Sequence, residues 1–83
     1  MIPIEKITKI KKKHEKELLK KSGVMGVSVG YKYIDGKKTE ELCIVCYVKE
    51  KKTEERLNKK DIIPKLIEGI KTDIVQSGDI KVL

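Results

Sequence analysis

At 83 residues the chain makes one small domain, hiding about 60–70% of the surface its unfolded form exposes, so its core is small. Apolar residues are 39% and charged residues 40%, and the apolar ones fall in runs, so the chain is expected to fold rather than stay disordered. The net charge of +7 suits nucleic acid, an anionic surface or an acidic protein, but it is nearly all lysine, and Arg56 as the only arginine weakens a reading based on bidentate contacts to phosphate or guanine.

From Pro3 to about Lys21, Ile4, Ile7, Ile10, His14 and Leu18 recur at spacings of three and four, which predicts a helix with one apolar stripe. Pro3 suits its first turn, and Gly23 suits a left-handed residue after its last. Lys9, Lys12, Lys13, Lys16 and Lys20 fall off the stripe and form a face for an anionic partner, interrupted by Glu5, Glu15 and Glu17.

Val24 to Ile34 alternates Val27, Val29, Tyr31 and Tyr33 with Gly26, Ser28, Gly30 and Lys32, the pattern of a strand with one bulky and one bare face. Glycines inside a strand suit a close approach, so the bare face is expected to receive a helix or a neighbouring segment. Asp35-Gly36 opens a turn, and Leu42 to Val48 returns apolar at every position, so both faces of this second strand need cover. The hairpin from Gly23 to Val48 is the expected centre of the fold.

Residues 49–61 read as a charged connection with a short helix over Glu54 to Asn58 capped by Thr53. Pro64 places Ile62 to Ile67 in an edge or irregular strand, Glu68-Gly69 turns, and Ile70 to Gln76 is a last strand. Residues 79–83 read as a tail or linker. The expected fold is α+β, in the order α-β-β-(α)-β-β: one antiparallel sheet of three to four strands with the long N-terminal helix packed on one face. Residues 1–22 form that helix, 23–48 the central hairpin and 62–78 a C-terminal hairpin.

No catalytic set, cofactor site or metal site is expected. Cys43 and Cys46 match C-x-x-C, but on a strand, side chains three apart point to opposite faces, and no second pair completes a zinc site. They read as small buried hydrophobes. His14 reads as a boundary residue, since Ser22, Ser28 and Ser77 offer it no nucleophile–base geometry. Gly23, Gly26 and Gly30 follow a helix and begin a strand, the reverse of a phosphate loop. Tyr31, Tyr33 and Tyr47 read as sheet-margin residues, with base stacking as the alternative. No secretory leader or spanning segment is evident, so the expectation is a cytoplasmic protein with no membrane role.

Two stretches carry a family likeness: Gly23-Val-Met-Gly-Val-Ser-Val-Gly-Tyr-Lys32 with the apolar strand after Glu41-Leu42, and Ile63-Pro-Lys-Leu-Ile-Glu-Gly-Ile-Lys-Thr-Asp-Ile-Val75. Together they resemble the domain that precedes a trypsin-like serine peptidase domain in bacterial proteins and in the plant narrow-leaf protein family. The resemblance implies a non-catalytic accessory module, with any peptidase activity in a following domain. The expected function is therefore protein interaction, by docking on a linked peptidase domain or by self-association as a homodimer. The face proposed for it comprises Val27, Val29, Tyr31, Ile44 and Tyr47. Nucleic-acid binding through the lysine-rich helix is the alternative.

Overall fold

The computed structural model describes residues 2–77. Helix α1 (Ile4–Lys20) leads into β1 (Val24–Ile34) and β2 (Lys37–Val48). Two 3-10 turns follow, Glu54–Arg56 and Lys59–Asp61, and then β3 (Leu66–Ile67) and β4 (Ile70–Gln76). The sheet order is β1-β2-β4-β3.

The expected α+β architecture holds, with α1 on one face of a four-stranded sheet. The sheet is mixed rather than wholly antiparallel, because β4 lies parallel to β2 with Ile44 beside Thr72 and Cys46 beside Ile74. Parallel neighbours need a long crossover, and residues 49–65 supply it by carrying the chain back to the end where β2 begins. That stretch forms two 3-10 turns in place of the expected short helix, with Ile63 buried as an anchor. Only Leu66–Ile67 of the Pro64 segment becomes a strand, and Thr72 donates its backbone N–H to Lys65 and its hydroxyl to the Pro64 carbonyl.

Both hairpins close on the same chemistry: Asp35-Gly36 (φ 52° and 77°) joins Ile34 to Lys37, and Glu68-Gly69 (φ 50° and 82°) joins Ile67 to Ile70. Two successive positive-φ residues make the tight turn whose twist matches the flanking strands. The helix stops at Lys20, and Gly23 (φ 81°) serves the following turn, which Val24 N–H closes on the Lys21 carbonyl at 3.2 Å.

Ile7, Ile10 and Leu18 of α1 are buried against Ile44, Cys46 and Val48 of β2, with Val24, Val27 and Val29 of β1 beside them. Ile63, Ile67 and Ile70 close the other side of this core. Ile4 is left out, 53% exposed at the start of the helix. His14 lies at the margin of the stripe, where its Nε2 meets Glu68 Oε2 at 2.8 Å and fastens α1 to the β3–β4 turn. That hydrogen bond, aided by the Lys13 ammonium, holds the Glu68 carboxyl below its ordinary range. The fastening is therefore complete above the usual carboxylate pKa and loosens as pH falls.

Candidate functional site

The helix packs on the valine side of β1, not on the glycine side. Val27 pairs with Cys46 and Val29 with Ile44, which places these four residues on the face that α1 covers. The physical reason is burial: the Ile and Leu stripe of α1 gains more by removing valine side chains from water than by resting on bare backbone. Of the residues expected to form one interaction face, Val27, Val29 and Ile44 are thus part of the core, and Ile44 has no exposure at all. Tyr31 and Tyr47 are exposed, but Tyr31 pairs with Leu42 on the helix side, whereas Tyr47 belongs to the opposite side.

That opposite side carries Gly26, Ser28 and Gly30 of β1 beside Tyr47, Val45 and Cys43 of β2, with Asp73 and Val75 of β4 next in line. No helix or strand crosses it among the described residues. The glycines allow larger neighbours to lean over them. A Cβ at Gly30 would lie 3.3 Å from Val45 Cγ2, and one at Gly26 would lie 3.7 Å from the Tyr47 ring. Ser28 Oγ donates to Tyr47 Oη at 3.3 Å, which fixes the ring across β1.

The far end of the hairpin bends toward this side. The β1–β2 pairing is regular from Gly26–Tyr47 to Tyr31–Leu42 and resumes at Tyr33–Lys38, so β2 carries extra residues there and the ladder is kinked. Lys32 Nζ then donates to the Thr72 carbonyl at 3.0 Å, and Tyr33 N–H donates to Asp73 Oδ2 at 3.0 Å. This tie to β4 covers Cys43, whose side chain is fully buried. Between the bent tip and the end of the sheet lies a groove of about 880 Å³. It is lined by Gly30, Val45 and Val75 and by three exposed tyrosines, Tyr33, Tyr47 and, reaching it from the helix side, Tyr31, so two residues of the expected interaction face, Tyr31 and Tyr47, do meet here. Lys38 and Lys51 also line it.

Sequence reasoning missed Tyr33, Val45 and Val75 as members of one surface. The signal was available in the bare glycine face, which marks where side chains of neighbouring strands spread, but the parallel placement of β4 had no marker.

The two cysteines lie on opposite faces, Cys46 within the core and Cys43 on the groove side. Each thiol is pushed up to about 11, Cys43 by burial and then by the Asp73 carboxylate, Cys46 by burial and then by Cys43. A thiol whose folded pKa is raised contributes stability that is complete below the unfolded value of about 8.5 and is lost as pH rises toward the folded one. Both thiols are expected to resist a disulfide reagent at pH 8 until urea is added. Stoichiometric labelling of the folded protein would contradict their placement.

The N-terminal helix, the hairpin, the Ile-Pro segment and the last strand all lie within one stretch that matches a known family. Residues 4–80 match the family described as the NARROW LEAF 1 N-terminal domain. The chain belongs to that family. The chain matches no curated protein. Among its described residues no helix is long and apolar enough to cross a membrane.

Proposed function

We propose that the domain is a non-catalytic accessory module that docks, through the sheet face opposite α1, on a folded protein partner. The partner we propose is a trypsin-like serine peptidase domain in the same polypeptide, as the resemblance of the two motif stretches implies. The observation that carries this reading is the tyrosine-walled groove: residues 42–48 of β2 are apolar on both faces, and α1 occupies only one. The family's description as an N-terminal domain supports a neighbour in the chain.

A non-catalytic role is supported by how the candidate side chains are engaged. His14 is bonded to Glu68, Ser28 to Tyr47, and Ser77 Oγ is directed at the Val48 carbonyl. A heterologous partner is favoured over a second copy, since two chains of +7 repel each other.

Calorimetric titration of the domain with a trypsin-like serine peptidase domain, the proposed partner, tests the reading. Tyr47→Ala is expected to weaken binding by about tenfold or more, the size of an aromatic hot-spot loss. Leu19→Ala, on the exposed part of α1, is expected to leave affinity unchanged. Absence of binding, or an equal loss from both variants, would refute docking through this face.

A further inference from the structure

The outward face of α1 carries a second surface, independent of the groove. Lys9, Lys12, Lys13, Lys16 and Lys20 are all exposed and occupy one side of the helix, over about 16 Å of its length. Among the described residues Lys9, Lys12, Lys16 and Lys20 make no ion pair. Lys13 reaches Glu68 at 3.4 Å; of the helix's own carboxylates, Glu15 meets Lys11 at 3.0 Å, Glu17 lies 3.9 Å from His14 near the Lys20 end, and Glu5 stands four residues before Lys9. At the C-terminal end, Lys21 Nζ donates to the Lys60 carbonyl at 2.6 Å, which brings Lys60 of the crossover close to Lys20.

This arrangement works against the helix that holds it. Lys9 and Lys13, Lys12 and Lys16, and Lys16 and Lys20 are like charges four residues apart, a spacing at which repulsion destabilises a helix and a carboxylate would stabilise it. An ordinary solvated face alternates sign and avoids that cost. An anion with closely spaced charges removes it.

We infer that this face binds the phosphate backbone of duplex nucleic acid without reading its sequence. Lysines act as point charges toward phosphate, and the row contains no arginine to fork onto a guanine edge. An anionic bilayer is the less favoured partner, because the exposed apolar residues of the helix, Ile4 and Leu19, stand at its two ends and provide no continuous apolar face to insert.

Fluorescence anisotropy with a labelled duplex of about 20 base pairs tests this. About five phosphate contacts give an expected slope of log affinity against log salt near −4.5. Lys16→Glu sets a carboxylate four residues from both Lys12 and Lys20. It is expected to hold or raise the thermal midpoint while making the salt slope shallower by about 1 or more and weakening binding at low salt. Because this variant stabilises the helix, lost binding cannot be assigned to unfolding. Phosphatidylserine vesicles and polyglutamate are the comparison probes. No binding to the duplex at low salt, a slope near zero, unchanged binding by Lys16→Glu, or equal retention on the vesicles or on polyglutamate would each overturn the assignment.

Discussion

Replacing Ile44 by alanine is expected to lower the unfolding free energy by about 2–5 kcal/mol, whereas Tyr47→Ala, three residues along the same strand, is expected to cost about 1 kcal/mol. Ile44 is fully buried at the centre of the sheet, with the helix stripe of Ile7, Ile10 and Leu18 above it and Val29 and Thr72 on either side. Truncation there leaves a cavity between layers that cannot both collapse around a pinned strand. Tyr47 loses an exposed ring and one hydrogen bond to Ser28. A domain of this length has of order 4–12 kcal/mol in total, so the Ile44 variant sits near its folding limit. Urea denaturation of both variants reads the difference. Equal losses would mean that the two faces of the sheet are equally covered, and the open groove would have no basis.

Asp61→Ala is expected to cost about 1.5–3 kcal/mol, and Asp61→Asn less than half as much. Asp61 ends the second 3-10 turn with only 9% exposure, and its Oδ1 accepts the Ser22 N–H at 2.9 Å. That single bond, with Lys21 reaching the Lys60 carbonyl beside it, ties the crossover to the turn between α1 and β1. Alanine removes the acceptor and frees the crossover that holds β4 parallel to β2. Asparagine keeps an oxygen in place, so its smaller loss separates the hydrogen bond from the charge. Matching losses for the two variants in urea denaturation would show that the charge, rather than the acceptor, is what counts.

Much of this fold is legible in the residues themselves. The three-and-four spacing of Ile7, Ile10 and Leu18 marks the buried side of the helix, and Asp35-Gly36 and Glu68-Gly69 mark two tight turns, because each of those features has a local physical cause. The direction of β4 has none. Residues 49–65 are mostly Lys and Glu with one Pro, and nothing local in them says which way the next strand enters the sheet. The face on which α1 rests is likewise a contest between burying Val27 and Val29 and approaching Gly26 and Gly30, and burial wins. The lysine row was legible as a surface, while the pairing of Lys13 with Glu68 and the lack, among the described residues, of an ion pair at Lys9, Lys12, Lys16 and Lys20 required the structure. The groove was the least accessible feature, since it depends on a kink in the β1–β2 ladder and on Asp73 capturing Tyr33 from across the sheet.

Backbone amide shifts of the isotope-labelled domain, followed while a trypsin-like serine peptidase domain, the proposed partner, is added, test the docking surface most directly. The expected result is a set of perturbed amides on Gly26, Ser28, Gly30, Val45 and Tyr47, with the amides of α1 unmoved. Perturbations confined to α1 or to the Glu68-Gly69 turn, with the glycine side of β1 silent, would contradict it.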